Sequence, residues 1–330
     1  MKPVLEVEGI HKYYQDKKLF GKEQSVVKAV NGVSFSLNKG EAFGLVGESG
    51  CGKSTTGKVI AQLIKQTSGV VRFQGQDLAE LSAKQLKAWR KQVQIVFQDP
   101  YSSLNPKKTL EWILEEPLII HKLGDKTWRR KRVIQVLADV GLDASFLKRY
   151  PHELSGGQRQ RIAIAAALVL KPELIVIDEG VSALDVSVQA QILNLLKKLQ
   201  HKYDLTYIFI SHDLNVVQYF CDRIAVMYLG EIVETGTTED IGDQPKHPYS
   251  QALFSAKPTM EGTTDRIILK GDMPDPAHAP AGCPFHTRCP LAMEQCGHVK
   301  PERVQMAGMH HVSCHLYEEG DMSHENRRCI

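Results

Sequence analysis

Residues 47–55 read GESGCGKST, with glycines at Gly47, Gly50 and Gly52 followed by Lys53 and Ser54, the spacing G-x-x-x-x-G-K-S/T. Glycines so placed let successive backbone N–H groups turn onto phosphate oxygens, and a helix starting there adds its dipole. Lys53 supplies a mobile charge for the β- and γ-phosphates of a nucleotide, and Ser54 a hydroxyl for Mg²⁺. Glu48, Ser49, Cys51 and Thr55 complete the predicted nucleotide-binding run. Downstream, LIVIDE at Leu174–Glu179 is an apolar run ending in two carboxylates, a costly placement unless they meet a cation or a reacting group. Asp178 suits a Mg²⁺-holding role, and Glu179 the base that orients and deprotonates an attacking water. The plainer alternatives are an ordinary glycine turn at 47–54 and a carboxylate capping a turn at 178–179.

Between these two elements, Leu154–Gln158 reads LSGGQ and precedes an apolar stretch from Arg161 to Leu170. Ser155 with the backbone of Gly156 and Gly157, followed by Gln158, forms a second anion cradle at a helix start. One chain needs one such cradle per γ-phosphate. The second therefore predicts a site completed by another copy across an interface.

The elements that must position these residues read as an α/β layer structure on a mainly parallel sheet. Strands are expected at 4–7, 34–37, 42–46, 70–73, 94–97, 174–177, 207–211 and 224–228. The helix after Gly52 has Val59, Ile60, Leu63 and Ile64 along one face. From about 107 to 150 the strand signals disappear, and WRRKRVIQVLADV at 128–140 reads as an amphipathic helix within a helical insertion spanning about 105–170. After Gly236 prolines interrupt the periodicity, and only 249–256 reads clearly as helix. The expected division is a nucleotide-binding domain over 1–250 and a small loop-rich module over 251–330.

Composition narrows the function classes. The 330 residues are 42% hydrophobic and 24% charged, as in a soluble globular chain of about two domains. Lys plus Arg at 41 against Asp plus Glu at 38 leaves +3, which disfavours a dedicated nucleic-acid partner. The longest apolar stretch, Ile162–Leu170, is nine residues, against about 18 or more for a bilayer span. The start, MKPVLEVEGIHKYY, lacks the features of a secretory signal, so a cytosolic location is expected.

The full set GESGCGKS, Gln98, LSGGQ, LIVIDE, SALD and His212 resembles an ATP-binding cassette (ABC) transporter ATPase over residues 4–250. The resemblance implies a P-loop NTPase fold with an antiparallel β region beside the parallel sheet. It also implies two subunits sandwiching two ATPs, the loop of one facing Ser155 and Gly157 of the other. It gives Gln98 the role of sensing Mg²⁺ and the attacking water and of contacting the membrane subunit. His212 becomes the γ-phosphate switch, Asp185 the link between the two sites, and Tyr14 the ring stacked on adenine, with Tyr13 competing. Gly180 stands where this family commonly has Pro or Ala, an exchange expected to loosen the turn after Glu179. Neither a long coiled-coil insertion nor a second cassette is present, which sets aside DNA-repair and ribosome-acting members.

FQDPYSSLNP at 97–106, HPYSQALFSAKP at 247–258 and GCPFHTRCPLAMEQC at 282–296 resemble the oligopeptide/dipeptide importer ATPases, a class that also serves nickel. The implied partners are a second, similar ATPase, with a heterodimer favoured, two transmembrane permeases, and an extracytoplasmic solute-binding protein. The implied location is the cytoplasmic face of the membrane. Cys283, Cys289, Cys296 and Cys314 are spaced C-x5-C-x6-C-x17-C. Four thiolates can enclose a 4Fe-4S cluster or Zn²⁺. The resemblance favours iron–sulfur, with His286, His298 and His315 as spare ligands and free buried thiols as the plain alternative. Cys51, Cys221 and Cys329 read as unpaired.

Overall fold

The computed structural model describes residues 3–15, 26–99, 103–180, 184–256 and 267–318. Of the sequence readings, Pro100–Ser102, Ser182, Ala183, Lys257, Pro258 and Cys329 lie outside the described residues. The chain opens with β1 (Leu5–Gln15) and β2 (Val26–Leu37), paired antiparallel with Leu5 opposite Leu37 and Val7 opposite Phe35. With β4 (Ser68–Phe73) and β5 (Gln76–Asp77) they form a sheet ordered β2-β1-β4-β5. The expected strands at 4–7 and 34–37 are thus pieces of longer ones. The distal half of β1 is polar and half-exposed, so it shows no alternating pattern.

The second sheet carries the chemistry. Its parallel part contains β3 (Ala42–Val46), β6 (Val93–Val96), β7 (Leu174–Asp178), β8 (Thr206–Ile210) and β9 (Arg223–Tyr228), ordered β9-β3-β8-β7-β6. AFGLV, LIVID and TYIFI are buried at every residue, as strands covered on both faces must be. Alternate side chains serve two cores. Ala42, Val46, Ile175, Ile177, Tyr207 and Phe209 face one. Phe43, Leu45, Leu174, Val176, Ile208 and Ile210 face the other, shared with the antiparallel sheet. Each fully buried side chain of this size contributes about 1.5–3 kcal/mol.

Helices cover both faces. α1 (Lys53–Ile60) follows β3, and α2 (Ala83–Gln92) leads into β6. The expected helical insertion contains α3 (Leu110–Ile120), α4 (Lys126–Asp139) and α5 (Gly156–Leu168). α4 buries Val133, Val136 and Leu137, and its buried Arg132 donates to Leu168 O at 2.6 Å and Val169 O at 3.1 Å, satisfying carbonyls at the end of α5. α6 (Val186–Tyr203) and α7 (Leu214–Phe220) complete the cover.

The described residues 267–318 are mostly turns and irregular backbone, and the chain after Gly236 adds a few short elements to the helix expected at 249–256. After β10 (Glu231–Thr237) come α8 (Thr238–Asp243), α9 (Pro248–Ser255), β11 (Arg303–Gln305) and β12 (His311–Ser313). β12 pairs antiparallel with β10, placing Val312 opposite Glu234, so this region extends the same sheet as the parallel strands. Glu234, buried, accepts hydrogen bonds from the N–H of Lys246 (2.6 Å), the N–H of His247 (3.0 Å) and Nε2 of His310 (2.7 Å). Side-chain bonds of this kind leave no hydrophobic period to read.

Candidate active site

The register of the parallel strands explains how motifs far apart in sequence meet. Leu45 of β3 and Asp178 of β7 both lie opposite Ile210 of β8, and Ile177 lies opposite Val96 of β6. The loop after β3, Gln98 after β6, Glu179 after β7 and His212 after β8 therefore emerge at one edge, outside the carboxyl ends of the strands.

The loop Gly47–Gly52 enters α1 through backbone that only glycine tolerates. Gly52 has φ +107°, and a Cβ there would stand 2.3 Å from Ala29 O; at Gly47 it would stand 2.2 Å from Met227 O. Ser49 and Gly50 are exposed at the crown, Cys51 is buried beneath it, and Thr55 is half-buried in the first turn. Lys53 is buried, its ammonium donating to Gly47 O at 2.7 Å and Glu48 O at 2.9 Å. Ser54 Oγ donates to Asp178 Oδ1 at 2.6 Å. Burial raises the Asp178 pKa, and the hydrogen bond from Ser54 and the nearby Lys58 and Lys53 pull it back. A hydroxyl and a carboxylate brought together in this way are hard oxygen donors that fit Mg²⁺.

Beside that pair, Gln98 Nε2 donates to Glu179 Oε2 at 2.6 Å, and His212 Nδ1 lies 3.3 Å from Glu179 Oε1. The Glu179 side chain is 14% exposed while that of His212 is 56% exposed, so the carboxylate is held and still reachable by water. Glu179 itself takes a left-handed φ of +48°, a strained backbone that the surrounding packing must impose. Gly180 is buried, and a Cβ there would stand 2.9 Å from Gln160 Nε2 and 3.0 Å from Ile177 Cγ2.

Ser155 caps α5 in a reciprocal box: its Oγ accepts from Gln158 N–H at 3.3 Å, and Gln158 Oε1 accepts from Ser155 N–H at 3.0 Å. Ser155 and Gly156 are exposed, with Gly157 closely packed against Val188 of α6. Asp185 caps α6, accepting from Val188 N–H at 3.0 Å and Ser187 Oγ at 2.8 Å, bonds that lower its pKa. The second cradle and Asp185 thus share one open surface. Tyr13 and Tyr14 divide cleanly. The Tyr13 hydroxyl is engaged with Asn31 Oδ1 (2.8 Å) and His11 Nδ1 (2.9 Å), whereas Tyr14 is 44% exposed with Lys12 over its ring.

The iron–sulfur expectation for Cys283, Cys289, Cys296 and Cys314 is overturned, as is zinc. Among the described residues no group of three or more His, Cys, Asp or Glu side chains is placed to hold a metal ion. Burial pushes the thiols up, Cys283 to about 11 and Cys314 to about 12. Cys283 and Cys296 belong to the large apolar core and Cys289 packs against it, the behaviour of small hydrophobes. Of the spare ligands, His315 has both ring nitrogens engaged, with Glu318 and Val299 O, and His286 Nδ1 donates to Cys283 O.

Two residues at this site escape sequence reasoning. Glu48 N–H donates to Tyr249 Oη at 2.9 Å, and Arg288 pairs with the Glu48 carboxylate at 3.0 Å. Both lie in segments quoted above for their resemblance, yet no spacing rule connects residues 201 and 240 positions apart.

Comparison with known proteins agrees with this geometry. Residues 30–182 match the family model described as ABC transporter, and residues 233–296 that described as oligopeptide/dipeptide transporter, C-terminal region. The oligopeptide transport ATP-binding protein AppF of Bacillus subtilis (strain 168) is 52% identical over 320 residues, covering 95% of this chain and 97% of that protein. The dipeptide transport ATP-binding protein DppF of Haemophilus influenzae is 48% identical over 315 residues, covering 94% and 96%. Among solved structures, the dimeric ATP-binding cassette MJ0796, in a post-hydrolysis state bound to ADP and Pi, aligns with a TM-score of 0.63. Its identity is 32%, over 71% of this chain and 98% of that one.

Proposed function

The chain belongs to the ATP-binding subunits of ABC transporters, and from that premise we infer that it hydrolyses MgATP to drive the uptake of di- or oligopeptides. Such subunits hydrolyse ATP to power transport and act with membrane permeases. Peptides are the cargo in this reading because the relatives similar over nearly the whole chain carry oligopeptide and dipeptide transport in their names. The reading includes a cassette over 1–250 and a C-terminal region over 251–330.

The observation that carries it is the Glu179 carboxylate held between Gln98 and His212, beside Ser54 and Asp178. In this reading the backbone of 47–55 and Lys53 grip the phosphates, and Tyr14 stacks on adenine. Ser54 and Asp178, with Gln98 beside them, would hold Mg²⁺, which supplies neutralisation of charge on the β- and γ-phosphate oxygens. Glu179 takes the proton of the attacking water, Gln98 orients that water, and His212 touches the γ-phosphate. Ser155, Gly156, Gly157 and Gln158 close over the triphosphate of a partner cassette, with Asp185 at the seam. A heterodimer is favoured, with an extracytoplasmic binding protein delivering peptide through the permeases at whose cytoplasmic face the chain sits. No described helix is long and apolar enough to cross a membrane.

Replacing the base tests this. Glu179→Gln in the assembled transporter should lower ATP turnover by about 10²–10⁴-fold while MgATP is retained. Turnover within twofold of wild type would remove Glu179 from the mechanism. Native mass spectrometry of the purified complex separates one cassette type from two.

A further inference from the structure

Glu48 is an acidic residue inside a loop that gathers anions, and it is held on three sides. Its N–H donates to Tyr249 Oη at 2.9 Å, its carbonyl accepts from Lys53 Nζ at 2.9 Å, and its two carboxylate oxygens accept from Arg288 Nη1 at 3.2 and 3.0 Å. Tyr249 is fully buried at the start of α9, and the Arg288 side chain is 9% exposed. Neither anchor is free to wander. The Tyr249 ring packs on Tyr228 at 4.7 Å and on Phe285 at 5.4 Å, and Phe285 meets Tyr228 edge-on at 5.3 Å. Tyr228 ends β9, whose Val226 lies opposite Val46 immediately before the loop, so the aromatic cluster and the loop share one strand floor.

An unpaired carboxylate here would repel the incoming triphosphate at short range, in a setting where charges are incompletely screened. Arg288 cancels that charge and pins the side chain against the C-terminal region. Tyr249 commits the Glu48 N–H and so fixes the loop backbone from which the remaining N–H groups are presented. We propose that Tyr249 and Arg288 are positioning residues for the triphosphate, acting through Glu48, so that the C-terminal region sets the affinity for MgATP and leaves bond cleavage to Glu179. This rests on the ATPase reading above.

The test measures KM and kcat for MgATP in the assembled transporter carrying Arg288→Gln, Arg288→Lys, Tyr249→Phe, Glu48→Gln and the double variant Glu48→Gln/Arg288→Gln. Arg288→Gln should raise KM about 5–20-fold with kcat within about twofold, and Tyr249→Phe should raise it about 2–5-fold. Arg288→Lys should retain most of the affinity. The double variant should bind better than Arg288→Gln alone, because no carboxylate is left unpaired. A role confined to folding would lower the melting temperature and would not be relieved by Glu48→Gln. Unchanged KM in both Arg288→Gln and Tyr249→Phe, or a loss that Glu48→Gln fails to relieve, overturns the proposal. A wild-type transporter without ATP turnover would instead overturn the reading beneath it.

Discussion

The parallel strands and the antiparallel edge of the same sheet are built by different rules. β3, β7 and β8 are buried at every residue, covered on both faces, and stabilised by two cores. β10, β11 and β12 join the sheet by antiparallel pairing, Glu234 lying opposite Val226 and Val312, with polar side-chain bonds added at the seam: Glu234 with His310, and Arg303 Nη2 with Thr235 Oγ1 at 3.1 Å. The first arrangement makes a rigid floor from which Gln98, Glu179 and His212 project. The second makes a margin whose segment between β10 and β11 reaches the loop at 47–52 through Tyr249 and Arg288. In the mechanism proposed above, the floor would serve cleavage and the contacts behind the loop at 47–52 would serve affinity.

The sharpest break of this contrast is Phe209→Ala in β8, whose side chain is fully buried beside Phe220. It should cost about 3–5 kcal/mol of global stability, read as a fall in the denaturant midpoint, with all strands of the floor exposed together. Glu234→Ala should cost less, about 2–3 kcal/mol, because it strands the buried donors of Lys246, His247 and His310. Hydrogen exchange should then quicken in β10–β12 while β3, β7 and β8 stay protected. If the floor opened equally, the two parts would be one cooperative unit and the contrast would fail.

The smallest effect is one of pH. His247 Nδ1 accepts the Tyr249 N–H at 3.0 Å, and burial lowers its pKa from 6.5 to about 4, opposed by the facing Glu234 carboxylate. The native state then binds fewer protons than the unfolded chain between pH about 4 and 6.5, so stability rises with pH across that window and is lost on acidification. Going from pH 6.5 to 5.5 should cost about 1 kcal/mol through this group. Asparagine can still cap α9 without titrating, so the difference in melting temperature between wild type and His247→Asn should shift over that interval. A constant difference would deny His247 its part in the edge.

Much of this was legible in advance, and for identifiable reasons. The expected strand at 42–46 coincides with β3, and those at 174–177 and 207–211 fall within one residue of β7 and β8, because doubly covered strands are written as unbroken apolar runs. Gly47, Lys53, Ser54, Asp178 and Glu179 could be picked out because their chemistry needs fixed residue types at fixed local spacing. The second half of β1 could not, since a half-exposed polar strand carries no period, and β10–β12 could not, since β10 buries Glu234 and Thr235 and β11 and β12 are three residues each. The four cysteines misled because spacing alone cannot distinguish thiols gathered around a metal from thiols buried in a core.

By itself, then, the order of residues marked the glycine-rich run at 47–55, the carboxylates at 178–179, the LSGGQ run at 154–158 and the individual buried strands, all of which are patterns among neighbours in the chain. Only the tertiary structure decided that Gln98 and His212 converge on Glu179, that Tyr13 is occupied and Tyr14 open, and that Arg288 reaches Glu48. Those are contacts between distant segments, fixed by strand register and packing, and no local pattern encodes them.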